Sequence, residues 1–442
     1  MMRDGTRRDF LKTTAIGTAS ISVAAACSPK SEPAPGSPAP GAPEMAAPQV
    51  SAPLGTNPQG RIASSAGEMD RRWNAVREVM KRDRIDYLVI RNDEAWLGGP
   101  IKWFTDANAS NNYPVTAIFP VDDEMTVIEQ GAPGESLKGS PGVPRGVKKR
   151  LTMNYMPSAP YTSVYDADLA VGVLKEKKGA VIGLVGKEFI PVSFYELLAK
   201  GLPGAKFMNA TDQINALMAI KSPEELELIK GVAAIQDAAL EHVRKTLRPG
   251  MKPYELFAET QYACSRQGAY RYVINISTRP QEAGSGPGDG TIQAGDQVSL
   301  LIETNGPSGH WCELARPISM GKPSQQLQDA FGLALEAQKV SLDLLKPGAN
   351  CKDIWDSNNA FLVKRGYQPE TRLYAHGQGY HFVEQPLIRN DEPMKIQANM
   401  NIVVHPSANN GKVSAGITDN YITTESGVGP CIHKSPKEIV VI

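Results

Sequence analysis

Leu247-Arg248-Pro249-Gly250, with Glu255-Leu256-Phe257 five residues on, is answered 98 residues downstream by Leu345-Lys346-Pro347-Gly348 and Asp353-Ile354-Trp355 at the same spacing. Each copy reads as a helix, a Pro-Gly break that stops it, and a second helix. Hairpin-like sequence follows each copy. In the first, residues 297–304 and 311–319 flank Asn305-Gly306-Pro307-Ser308-Gly309; in the second, residues 401–405 and 417–424 flank Asn409-Asn410-Gly411. The same elements in the same order predict an α+β region of two helical pairs over one curved antiparallel sheet, related by a pseudo-twofold axis.

Upstream, Ser222-Pro223-Glu224-Glu225 marks where this region begins. Serine at the N-cap, proline at the first helical position and glutamate at N3 form a helix-start signature. Behind it, Leu228, Val232, Ile235, Ala239 and Val243 share one helical face. Before this boundary, Met69, Trp73, Val76 and Met80 predict a helix, followed by strands at 87–90, 115–119, 125–128 and 180–185 and a helix at 193–202. That alternation predicts a smaller α/β domain. The expected organisation is therefore residues 1–27 as an export signal, 28–64 as a tether, 65–215 as the smaller domain and 216–442 as the catalytic domain.

The N-terminal assignments rest on local motifs. Arg7-Arg8 before Phe10-Leu11-Lys12 resembles a twin-arginine export signal, and Val23-Ala24-Ala25-Ala26-Cys27 resembles a lipoprotein processing site with Cys27 as the acylated residue. Residues 28–60 contain nine prolines among Ala, Ser and Gly, too few apolar groups to bury a core. The expected location is the periplasm or cell envelope, with membrane contact only through the N-terminal lipid.

Composition closes off other classes. Forty-seven Lys and Arg balance forty-seven Asp and Glu, so no net field favours nucleic acid. Five scattered cysteines do not make a disulfide scaffold. No apolar run approaches the ~18 residues of a spanning helix. An enzyme or binding protein with 41% hydrophobic residues remains.

The duplicated sheet would bring several reactive side chains together. His376 lies among small residues in Ala375-His376-Gly377-Gln378-Gly379, His405 ends an apolar strand, and Asp419 lies on that strand's partner. Glu303 and Glu313 occupy the first hairpin, with Arg316 three residues beyond Glu313. Imidazoles and carboxylates from separate strands suit a divalent metal or acid–base chemistry. An ion pair between Glu313 and Arg316 is the alternative for that segment.

Residues 220–442 resemble the pita-bread hydrolases: methionine and Xaa-Pro aminopeptidases, prolidase and the metal-free creatinase. The matching stretches are Lys221-Ser222-Pro223-Glu224-Glu225-Leu226, Leu247-Arg248-Pro249-Gly250-Met251, Gly295-Asp296-Gln297-Val298, residues 309–316, His376-Gly377-Gln378-Gly379, Glu384-Gln385-Pro386 and the strand around residues 400–406. The preceding region is similar to the creatinase/prolidase N-terminal domain, which implies a homodimer.

The resemblance also implies a metal site of two aspartates, one histidine and two glutamates. Only His376 stands unchanged; Glu313, His405 and Asp419 occupy three of the other positions, and the first aspartate falls at or beside Ile302, with Glu303 the nearest carboxylate if the strand is bulged. The proton-handling histidine expected near Gly284 has no counterpart, and Val383 stands where a further histidine is usual. Glu313, Asp419 and two neutral imidazoles carry a charge of about −2, which suits one divalent ion better than two. The expected ligands are thus His376, His405, Asp419 and Glu313, holding at most one Zn, Mn or Fe; a metal-free, creatinase-like site is the alternative. Glu384 is expected as general base, with His376 and Glu313 as further catalytic groups. Arg316, His310, His381 and Tyr374 are the expected substrate-binding residues. The implied activity is hydrolysis of a C–N bond in a short peptide or small polar molecule, with Xaa-Pro peptidase the leading name. A lyase, or a binding protein on the same scaffold, is the rival.

Overall fold

The computed structural model describes residues 61–92, 96–107, 113–156, 158–162, 164–278, 290–410 and 413–442. The arginine pair, Cys27 and residues 28–60 lie outside these. Residues 61–64, assigned to the tether, are instead held in place. The Ile62 N–H donates to Pro307 O at 3.2 Å, and the Ser64 N–H and hydroxyl both donate to the Asp106 carboxylate, at 3.0 and 2.9 Å.

Helix α1 (Ala66–Asp83) starts where Ser65 accepts a hydrogen bond from the Glu68 N–H, and it buries Met69, Trp73, Val76 and Met80 as their spacing requires. It packs beside a seven-stranded sheet of β1 (Tyr87–Asn92), β2 (Val115–Pro120), β3 (Met125–Gln130), β4 (Gly134–Leu137), β5 (Val147–Met153), β6 (Val181–Val185) and β7 (Lys206–Asn209), in the order β4-β5-β3-β2-β1-β6-β7. Strand β1 runs antiparallel to β2 and parallel to β6. It is central and apolar because both faces are covered. Helices α1, α2 (Gly99–Thr105) and α5 (Thr211–Ala219) share one apolar core, and α3 (Tyr165–Leu174) and α4 (Val192–Gly201) share the other.

The repeat begins at α6 (Pro223–Thr246), with the full capping box on Ser222 and Glu225. Helices α6 and α7 (Pro253–Ser265) form one pair, α8 (Gln325–Leu344) and α9 (Cys351–Lys364) the other. The echo in sequence is an echo in hydrogen bonding. The Gly250 N–H donates to Ile292 O and the Gly348 N–H to Ile396 O, both at 2.8 Å; Ile292 and Ile396 donate back to Met251 and Ala349. Both glycines have positive φ, 94° and 88°, which is why glycine stands at each break.

Beneath the helices lie two ribbons of sheet. One contains β8 (Tyr272–Ser277), β9 (Gln297–Asn305), β10 (Trp311–Ser319) and β18 (Val440–Val441). The other contains β11 (Ala375–Gly377), β12 (Glu384–Leu387), β13 (Asn401–Val404), β16 (Asp419–Thr424) and β17 (Gly427–Cys431). The short pair β14 (Ser407–Asn409) and β15 (Ser414–Gly416) extends the second hairpin, so its turn is longer than the sequence pattern implied. An antiparallel bridge between Ala315 and Thr418 and a bond from Trp311 N–H to Gly379 O at 2.8 Å join the ribbons.

A buried polar seam ties the first sheet's helices to the second region. Arg72 pairs with Glu68 (2.6 Å) and Glu225 (3.1 Å), and the Tyr380 hydroxyl donates to Glu225. Helices α1 and α6 are thereby fixed against the loop that follows β11. Cys264, Cys312, Cys351 and Cys431 are free thiols. Among the described residues, no helix is long and apolar enough to cross a membrane.

Candidate active site

Hairpin β9/β10 sets two acids opposite each other. Glu303 pairs directly with Glu313 in an unbroken register from Trp311↔Asn305 to Ser319↔Gln297. The bulge invoked to place Glu303 is absent; straight pairing suffices, because cross-strand partners share a face. Both carboxyls are buried. His376 from β11 and His405, just beyond β13, meet them. His376 Nε2 lies 3.8 Å from Glu313 Oε2, and the two imidazoles meet edge to face with centroids 5.3 Å apart. One donor atom each from Glu313, His376 and His405 falls within 4.8 Å of the others.

The ring nitrogens are poised as ligands. His376 Nδ1 lies 2.8 Å from Gly377 O, so that nitrogen carries the proton and Nε2 keeps its lone pair toward Glu313. His405 Nε2 is buried with no hydrogen-bond partner, a position a native interior rarely leaves empty-handed. Burial pulls the His376 pKa down to about 4 and that of His405 well below its usual value, the latter with help from His376. Both rings are therefore neutral. Burial pushes Glu313 up to about 7, and burial with the neighbouring Glu313 charge pushes Glu303 well up. The exposed Arg372 acts against both carboxyl shifts and further disfavours protonation of the rings. Two neutral imidazoles and one carboxylate around an orphaned nitrogen fit a single divalent ion such as Zn or Fe(II).

Amides hold this arrangement. Gln378 Nε2 donates to Glu303 Oε1 (2.7 Å) and Phe382 O (3.0 Å). Asn420 Nδ2 donates to Gln378 Oε1 (2.9 Å) and Asn401 Oδ1 (3.2 Å), while Asn420 Oδ1 accepts the Glu313 N–H (2.9 Å). Asn401 Nδ2 closes the ring on Gln378 O at 2.9 Å. Sequence reading missed all three amides. Residues 376 and 378, and 401 and 405, are evenly spaced, so two-residue periodicity could have found Gln378 and Asn401.

Asp419 does not join the cluster. His376 and Asn420 both pair with Val403 and so share a face, whereas Asp419 pairs with Val404 and points the other way. It forms a fully buried ion pair with Arg316 (2.8 Å), flanked by Gln338, His433 and Lys437. The neighbour on the site face is Thr418. Asp419, Cys431 and His433 do approach each other closely, but Arg316 and Lys437 already oppose the charge a cation would need.

Other expected roles also change. Arg316, expected to bind substrate, is held by Asp419 and by the carbonyls of Ala315, Thr418, Ser435 and Pro436; it does not pair with Glu313. Tyr374 is core: its hydroxyl donates to Ile354 O and accepts from Ser341, and its ring packs on Trp355. His310 is buried against Tyr380, with Nδ1 at 3.0 Å from the Ser308 hydroxyl. His381 Nδ1 accepts the Gly99 N–H at 3.3 Å. Glu384, expected as general base, is ion-paired with Lys221 and accepts the Tyr380 N–H at 3.1 Å. An acid engaged this way braces the loop. Glu384→Gln is expected to lower stability yet keep turnover per folded molecule within about tenfold, whereas a base would lose ~10²–10⁴-fold. The position near Gly284 lies outside the described residues.

Five histidines with lowered pKa values should make the fold acid-sensitive. His310, His376, His381, His405 and His433 all have lowered pKa values, burial being the main cause in each. The unfolded chain takes up these protons below about pH 6.5, so the folded state loses stability as pH falls from there toward 4. Glu303 and Glu313 act oppositely, since their raised pKa values remove stability as pH rises above about 4.5, to about 7 in the case of Glu313. Five groups outweigh two. The urea midpoint, measured in chelator, should fall from pH 7 to pH 5.

The fold and this site define a hydrolase of the pita-bread class. Residues 227–425, within the second region, match the family model described as Metallopeptidase family M24. The chain is 27% identical over 402 residues to a protein of Sinorhizobium fredii described as an uncharacterized hydrolase/peptidase, covering 85% of this chain and 97% of that one. It is 24% identical over 261 residues to an Xaa-Pro dipeptidase of Pyrococcus horikoshii, covering 57% and 73%. Among solved structures, an Xaa-Pro dipeptidase from Bacillus anthracis superposes with a TM-score of 0.69 at 20% identity, over 85% of this chain and all of that one. An X-Pro aminopeptidase from Thermotoga maritima gives 0.70 at 19% identity, over 84% and 99%. These likenesses establish the fold, the smaller first domain included.

Proposed function

We propose that this protein is an exported, lipid-tethered peptidase that hydrolyses the C–N bond of short peptides, Xaa-Pro peptides foremost, with one divalent ion held by Glu313, His376 and His405. The convergence of one carboxylate and two neutral imidazoles beside a second acid carries this reading. When bound, the ion would supply Lewis-acid activation of water and of the scissile carbonyl. Glu303 supplies the proton. Gln378 holds its Oε1, and the carboxyl would donate its proton to the departing nitrogen and take back the one that the attacking water releases. His376 and His405 would hold the ion as neutral imidazoles, and the amide ring keeps both acids in place.

The peptide substrate is inferred from the Xaa-Pro dipeptidase relatives. Export and anchoring are inferred from Arg7-Arg8 and Cys27, and a homodimer from the family resemblance of the first domain. A panel of Xaa-Pro and other dipeptides, assayed on protein from its export route alongside elemental analysis, tests the proposal. About one metal equivalent and dipeptide turnover that chelator abolishes are expected. Turnover that survives metal removal would favour the metal-free alternative, and two equivalents would refute the single-ion site. Sedimentation as a monomer would refute the dimer.

A further inference from the structure

At the carboxyl ends of the parallel strands β1 and β6 lies a cavity of about 60 Å³ whose lining includes Arg91, Leu97, Val185, Gly186, Asn215 and His381. None of Glu303, Glu313, His376 or His405 lines it. The chain leaves β1 toward α2 on one face of the sheet and leaves β6 toward α4 on the other. Open α/β sheets take ligands at such a point of divergence.

Arg91 is the unusual group here. It is 4% exposed, and its Nε donates to Asp166 Oδ2 at 2.7 Å. The other Asp166 oxygen accepts the Ala167 N–H. Among the described residues, Nη1 of Arg91 is buried with no hydrogen-bond partner. A guanidinium carries five donors and no acceptor, and a buried donor without an acceptor is costly. At the other side of the cavity, His381 Nδ1 accepts the Gly99 N–H, and the ring also hydrogen-bonds the Leu97 backbone, which fixes its orientation there. Among the described residues, no carboxylate lines the cavity. At 10–15 Å³ for each water-sized position, the space of about 60 Å³ holds about four to six heavy atoms.

We propose that this cavity binds a small oxyanion, the carboxylate of an organic acid or inorganic phosphate, through Arg91 with His381 beside it. The proposal stands independently of the peptidase reading. Isothermal titration of the full-length protein with inorganic phosphate and with acetate, at constant ionic strength against a sodium chloride control, tests it. Saturable one-site binding of either anion is expected, and the anion that binds identifies the head group. Arg91→Met should weaken binding at least tenfold. Because that change leaves Asp166 buried without its partner, Leu97→Trp provides a second variant that fills the cavity and leaves the Arg91–Asp166 pair intact; it should weaken binding equally. Glu313→Gln should leave binding unchanged, which separates this cavity from the active site. Saturation by neither anion, or binding that persists in Leu97→Trp, would overturn the proposal.

Discussion

His405→Ala is expected to strip the metal from the protein and to lower turnover by well over a hundredfold. Loss of a group that merely orients a ligand costs ~10–100-fold in affinity or activity, and removal of a ligand itself should exceed that. His405 Nε2 has no hydrogen-bond partner, so its removal breaks no protein contact at that atom and the fold should survive. Glu313→Gln should behave similarly in metal content, because a neutral amide is a poor substitute for the one anionic ligand. Inductively coupled plasma analysis of dialysed protein, with circular dichroism as the fold control, gives a reading apart from activity. Full metal retention in His405→Ala would remove it from the ligand set.

Asp419→Asn is expected to do the reverse: destabilise the fold by about 3–5 kcal/mol while leaving metal content per folded molecule unchanged. Removing one partner of a buried ion pair strands the other charge in the interior, and neither Arg316 nor Asp419 has accessible side-chain surface. The lost energy would appear as a lower denaturation midpoint. Loss of metal without loss of stability would return Asp419 to the site and contradict the strand register described above.

The contrast between these two variants marks where sequence reading succeeded and failed. The helices, the capping box on Ser222 and the duplicated Pro-Gly breaks were legible because each follows from local periodicity or local backbone demands. The grouping of Glu313, His376 and His405 was legible because all three flank recognisable motifs. Asp419 was misplaced by one position, and in a strand one position reverses the side chain. Glu384 and Arg316 were misread for another reason. Their partners, Lys221 and Asp419, are distant in the chain, and a one-dimensional pattern carries no sign of such pairing. Gln378, Asn401 and Asn420 escaped notice because amides look inert until they are seen to bond one another.

The bridge between Ala315 and Thr418 and the bond from Trp311 to Gly379 have a corollary. Both acids come from the earlier copy of the repeat, and both imidazoles from the later one. Neither copy alone holds all four groups, so the site exists only where the two ribbons join, and a change in either half bears on the chemistry of both.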